Sequence, residues 1–195
     1  MPVYTGVTIT PITPEAETLP AFENSHILDG IYVFPIESGL PPIYAVFSSP
    51  YDDATTKGKY SGRMYNPEKS GGPILDLDWK SISITLEGID LVKLHTDRFG
   101  ASDANMIMID RLERILRGEI SVTDIDKRFY THEIRELARY RALGVPDGKE
   151  GDVWNNAHTA ALEDYKINEN RDPMYTESAM IAGQQQEYIE AMKGI

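Results

Sequence analysis

Three of the four histidines in the chain, His95, His132 and His158, sit in strings whose composition could do chemistry. Histidine is the side chain whose ordinary pKa suits both giving and taking a proton near neutral pH. His132 opens the string THEIRELARYRALG, and a helix there puts His132, Arg135, Glu136 and Arg139 at i, i+3, i+4 and i+7 on one face. A face carrying an imidazole, a carboxylate and two guanidiniums can bind a phosphodiester and move a proton. The plainer reading is a solvated face laced with i,i+4 pairs, with Ile134, Leu137 and Ala138 turned to the core. Glu133 beside His132, and Tyr130 in the same turn, favour the first. His95 follows the apolar run LVKL, where the end of a strand would present it to a loop or bond it to Asp97. His158 lies in DVWNNAHTAALEDYKI, in the first turn of a helix capped by Asn155 or Asn156, with Trp154 at its start. It shares a stripe with Leu162 and Tyr165, which equally suits a core histidine.

RNA cleavage by attack of the 2′-hydroxyl asks for a base, an acid and positive charge at the phosphate, and it needs no metal. His95, His132 and His158 are the acid–base candidates, with Glu133 or Glu136 orienting an imidazole. Arg98, Arg135 and Arg139 are candidates for charge stabilisation. A metal reading stands beside this one, because His132, Glu136 and His158 form a two-histidine, one-carboxylate set. The string His-Glu-Ile-Arg-Glu has Glu136 where a zinc-protease motif needs histidine, and no cysteine is present. The expectation is therefore chemistry without metal or cofactor. Lys59 and Arg63, interleaved with Tyr60 and Tyr65, and Tyr130 nearer His132, could contact phosphates and bases. The segment around Lys59 and Arg63 is equally readable as a connecting loop.

Charge limits the substrate class. The net charge is −12, but it is unevenly spread. Residues 1–50 contain no Lys or Arg and five acids, residues 51–143 hold 15 basic and 16 acidic residues, and residues 144–195 hold 4 and 10. A nearly neutral middle argues against sequence-independent coating of nucleic acid, which needs clustered Lys and Arg. A substrate held at a compact site, including a nucleotide such as NAD, remains compatible. Acidic stretches at 147–152 and 163–172 could meet a basic partner, although solubility explains them equally. No apolar run approaches membrane-spanning length, so stable membrane insertion is not expected.

The elements that must position these residues are of mixed type. Residues 1–26 are rich in Thr, Pro and Glu and read as an extended linker. Residues 27–56 form a small β segment, with strands at 31–34 and 43–47 flanking a Gly/Pro connection. Residues 57–195 form a second module. In it S-I-S-I-T-L at 81–86 alternates as a strand, Glu87-Gly88 reads as a turn, and residues 89–94 return as the other arm of a hairpin. Helices follow from Ser102 to Gly118, over 130–143 before Gly144, and from Asn156 through Tyr165, with a Gln-rich tail helix over 178–192. The predicted class is α+β: a small β-rich N-terminal segment, then a mixed module with a β-hairpin and a helical C-terminal half.

Two strings carry a resemblance. YTGVTITP, then VFP, ESGLPPIY and VF, over residues 3–50, resembles the segment that precedes the killing domain in S-type pyocins and related colicin-like bacteriocins. The pieces GKYSGR-x-YN, GGPI-x-x-LDW, LHT-x-RF, IDRLE-x-I, FYTHE-x-RE and W-x-x-x-H with LEDYKI, over residues 58–169, are similar to a cytotoxic module of bacteriocins and other polymorphic toxins, contact-dependent inhibition toxins included. The resemblance implies a released bacteriocin acting in the target-cell cytoplasm, with a cognate immunity protein. It also implies preceding sequence that meets an outer-membrane receptor and the translocation machinery, and a role in uptake for the β segment. Killing domains in this setting are mostly nucleases, many cutting tRNA or rRNA, so a ribonuclease is the favoured activity. A metal-dependent nuclease, an NAD-directed toxin or a non-catalytic translocation or immunity-binding module are the alternatives.

Overall fold

The computed structural model describes residues 54–193, together with the backbone of three earlier strands. The chain divides into two compact units, Met1–Asp52 and Asp53–Ile195. In the first unit β1 (His26–Leu28), β2 (Ile31–Phe34) and β3 (Ile43–Val46) pair antiparallel in that order. The linker and most of the N-terminal segment expected from sequence lie outside the described residues.

The second unit is mostly helical. A two-stranded antiparallel ribbon, β4 (Thr56–Lys57) with β5 (Met64–Tyr65), precedes five helices: α1 (Leu86–Thr96), α2 (Asp103–Leu116), α3 (Asp124–Ala142), α4 (Trp154–Tyr165) and α5 (Glu177–Lys193). The apolar core gathers Ile89 and Val92 of α1, Met108 and Leu112 of α2, Phe129 and Tyr130 of α3, Leu162 of α4 and Ala179 of α5.

The expected hairpin over 81–94 is replaced by α1. The Thr85 side chain accepts a hydrogen bond from the Gly88 amide at 3.1 Å, so the supposed Glu-Gly turn is the first turn of a capped helix. Ile89 and Val92, three apart, then share its buried face. Ile82 and Ile84 lie in a stretch without regular structure and pack half-buried against the core, which is why their alternation imitated a strand. His95 therefore ends a helix rather than a strand.

Helix α3 begins six residues before the sequence placed it. Thr123 and Asp126 form a capping box, the Asp126 carboxylate accepting from the Thr123 amide at 2.9 Å. Asp126 also accepts two hydrogen bonds from Arg111 of α2, at 2.8 and 3.0 Å. The faces of α3 differ from expectation as well. Leu137 is buried, Ile134 only partly so and Ala138 exposed, whereas His132, Glu136 and Arg139 are enclosed. Ser102 caps α2, and Gly118 and Gly144 follow their helices with φ of +74° and +77°, as the sequence indicated.

Gly88 marks the close crossing of α1 over α3. A Cβ added there would stand 1.7 Å from the Tyr130 hydroxyl. Alanine normally favours a helix over glycine by about 1 kcal/mol. Here Gly88→Ala is expected to reverse that sign and destabilise by roughly 1–3 kcal/mol through overpacking. Urea denaturation reads this as a lowered midpoint, and a raised midpoint would show that the crossing yields.

Candidate functional site

Helices α1, α3 and α4 bring all three histidines to one place. His132 and Glu136, one turn apart on α3, point the same way, and His158 on the second turn of α4 faces them. His132 Nε2 lies 2.9 Å from His158 Nδ1, and each of these atoms lies 3.0 Å from Glu136 Oε2. His95 Nε2 approaches from α1, 3.4 Å from Glu136 Oε1 and 3.8 Å from Glu133 Oε2. On the far side of His158, Nε2 lies 3.2 Å from Glu169 Oε1. All but Glu169 are buried. Glu136 Oε1, His132 Nδ1, both His95 nitrogens and the Tyr140 hydroxyl have no hydrogen-bond partner in this enclosure.

The electrostatics follow from confinement. Burial alone would raise the Glu136 carboxyl, but His158 and the hydrogen bonds from both histidines outweigh it and hold it well below the usual carboxylate range. Glu133 lacks such close partners; burial pushes it up to about 7, against the pull of His132. Burial disfavours charge on His158, yet Glu136 and Glu169 overcome this and raise it to about 9. Burial likewise opposes ionisation of Glu169, and His158 and Arg63 outweigh it, lowering the carboxyl to about 2. The cluster thus sets ionised carboxylates on both sides of a protonated His158.

Of the three histidines, His158 is the least enclosed, at 8% exposure against 0% for His95 and His132. Trp154, one turn earlier on α4, stacks on its ring with centroids 4.9 Å apart. Trp154 is 40% exposed. The Arg63 guanidinium lies over that indole at 5.2 Å and pairs with Glu169 at 3.0 Å. Trp154, Arg63 and Glu169 form the rim through which His158 meets solvent.

The remaining sequence candidates lie elsewhere. Arg98 is buried, bonded to the His95 and Lys149 carbonyls and set over the Tyr140 ring. Arg135 donates to Asp164 at 2.6 Å, and the fully buried Arg139 forks onto the same carboxylate while donating to the Ser70, Gly72 and Pro73 carbonyls. Both guanidiniums expected at a phosphate are thus occupied by Asp164. Tyr130 is a core residue, its hydroxyl beside Thr85. Lys59 is exposed, over the Tyr60 ring. Its loop is folded onto α4, with Glu163 accepting from the amides of Tyr60 and Ser61 and from the Ser61 hydroxyl. The acidic stretch 163–172 is therefore in part interior, since Glu163 and Asp164 are buried.

The sequence reading missed Glu169, Tyr140 and the rim position of Trp154. For Trp154 the signal was there, because it stands at i,i+4 from His158 on one helix face. A surface cleft lined by Asp76, Trp79, Lys80, Tyr165, Lys166 and Asp172 contains none of the histidines.

The S-type Pyocin family matches residues 1–46, so this part of the chain is an S-type pyocin segment and supports a bacteriocin. S-type pyocins in general are secreted bacteriocins with receptor and immunity partners. The match ends before the second unit begins and covers none of the histidine cluster. Searches of curated proteins and of solved structures returned no match. Among the described residues no helix is long and apolar enough to cross a membrane.

Proposed function

We propose that the chain is the C-terminal part of a bacteriocin, that residues 57–195 are its killing module, and that the module is a ribonuclease centred on His132, Glu136 and His158. The N-terminal β segment then serves uptake. A receptor and the translocation machinery act through preceding sequence, a cognate immunity protein protects the producer, and the target is RNA in the cytoplasm of the attacked cell. The observation that carries this reading is the convergence of three buried titratable side chains from two helices within 3.0 Å of one another, with His158 bordering the partly exposed Trp154 and Glu169.

Burying ionised groups costs several kcal/mol each unless they are paired, and apolar residues would fill the same space without that cost. Such an arrangement is characteristic of sites that do chemistry. At the rim, a base would stack on Trp154 in place of the Arg63 guanidinium that lies over the indole, and Arg63, released from Glu169, would meet the phosphate beside His158. A nucleotide entering at the rim would part the 3.2 Å contact between His158 Nε2 and Glu169; protonated His158 would then donate to the leaving 5′-oxygen and ionised Glu169 would accept the proton of the attacking 2′-hydroxyl, giving a 2′,3′-cyclic phosphate. Glu136 orients His158, with His132, Glu133 and His95 enclosing that contact. The 2.9 Å contact of His132 with His158 lies in the buried interior, away from the rim, so these two imidazoles do not act as a flanking base and acid.

Incubating the purified chain with total bacterial RNA tests this reading. Discrete fragments of tRNA or rRNA ending in cyclic phosphate are expected, and intact RNA under conditions where the chain kills would overturn it. Trp154→Ala is expected to slow cleavage roughly tenfold or more, the worth of one stacked base. Initial rates on the preferred RNA measure this, and an unchanged rate would remove Trp154 from the substrate path.

A further inference from the structure

We propose that His132 Nε2, His158 Nδ1 and Glu136 Oε2 form a binding site for one first-row divalent cation of the zinc class. The inference goes beyond the ribonuclease reading and does not rest on it, because it concerns what the three donor atoms hold, whatever the substrate. These atoms form a nearly equilateral triangle with edges of 2.9, 3.0 and 3.0 Å, the one group of metal-ligating side chains found among the described residues.

With Glu136 ionised, protons cannot satisfy every edge of such a triangle. If both imidazole nitrogens carry hydrogen and donate to Glu136, two N–H groups face each other across the 2.9 Å edge. If one nitrogen donates to the other, the second presents a lone pair to the carboxylate. One edge is always unfavourable, whereas a single cation satisfies all three atoms together. An ion about 2.1 Å from each donor stands about 1.2 Å off their plane and sees them at roughly right angles, the arrangement of a two-histidine, one-carboxylate facial set.

Two independent observations point the same way. Glu136 Oε1 is buried without a hydrogen bond, 3.4 Å from His95 Nε2, which also lacks one. His158 turns its other nitrogen to Glu169 at 3.2 Å, the carboxylate–histidine pairing that orients metal-bound imidazoles. Two imidazole donors select zinc-class ions over magnesium and calcium, which prefer all-oxygen shells.

The full 195-residue chain, stripped with a chelator and titrated with zinc alone, tests the site. One equivalent per chain is expected, with affinity falling at least tenfold in Glu136→Gln and in His158→Gln while circular dichroism shows the fold retained. A measurement on the unaltered chain avoids any dependence on variant folding: zinc should shift the imidazole NMR signals of His132 and His158 together. Absence of a saturable equivalent, binding undiminished in both variants, or shifts confined to His26 or His95 would each overturn the proposal.

Discussion

Glu136→Gln is expected to abolish killing, with a rate loss of about a hundredfold or more, the usual worth of proton-transfer and charge groups at a reaction centre. The change keeps shape and volume but removes the charge that meets both imidazoles at 3.0 Å. Glu136 is 2% exposed and touches three histidines, so its role is held by geometry rather than by solvent. His132→Ala and His158→Ala should be inactive too. Residues that work as a unit lose activity non-additively, so the double variant Glu136→Gln/His158→Ala should be no worse than the poorer single one. Survival of cells lacking immunity, counted as colonies after inducing the chain, reads this out, with circular dichroism confirming that each variant folds. Unaltered killing by a folded Glu136→Gln variant would move the reaction centre elsewhere.

Arg139→Ala carries the largest expected effect on stability. The guanidinium is fully buried and donates to Asp164 at 2.7, 2.8 and 3.0 Å, while also pinning the carbonyls of Ser70, Gly72 and Pro73. Its removal leaves Asp164 buried with only the partly exposed Arg135 as counter-charge, and three loop carbonyls lose a donor. Breaking a buried ion pair by removing one partner costs about 3–5 kcal/mol. That is a large share of the roughly 5–15 kcal/mol that holds a domain together. Arg139→Lys should recover little, since an ammonium cannot reproduce the fork. Chemical denaturation measures the loss. A value within about 1 kcal/mol of the unaltered chain would mean that the loop and α3 can part without consequence. This loss of function comes from unfolding, which separates it from the Glu136 prediction, where the fold remains.

The contrast between Glu136 and Arg139 also shows what the sequence could reveal. Helical spacing placed His132, Arg135, Glu136 and Arg139 on one face, and that is where the chain puts them. What the spacing could not show is that this face is divided between two buried partners contributed by α4: His158 for His132 and Glu136, Asp164 for Arg135 and Arg139. A charged face is read as solvated when its partner lies 25 residues away in sequence. Helix α1 failed for the opposite reason, that local pattern outweighed a weak helical signal. Six residues of alternation at 81–86 before Glu-Gly imitate a hairpin, and only the Thr85 cap with Ile89 and Val92 at i,i+3 argues otherwise. The caps and glycines that bound α2 were legible because they act within one turn of their own residues. Glu169 gave no such signal, lying beyond the end of α4 and meeting His158 only through the fold.

The most direct test of the central claim compares RNA from cells expressing the intact chain with RNA from cells expressing its Glu136→Gln variant. Total RNA is resolved on a denaturing gel in the first minutes after induction. Discrete tRNA or rRNA fragments that appear with the unaltered chain and vanish in the variant are the predicted result. Growth arrest with intact RNA, or fragments that persist in a folded Glu136→Gln variant, would contradict a ribonuclease centred on the histidine cluster.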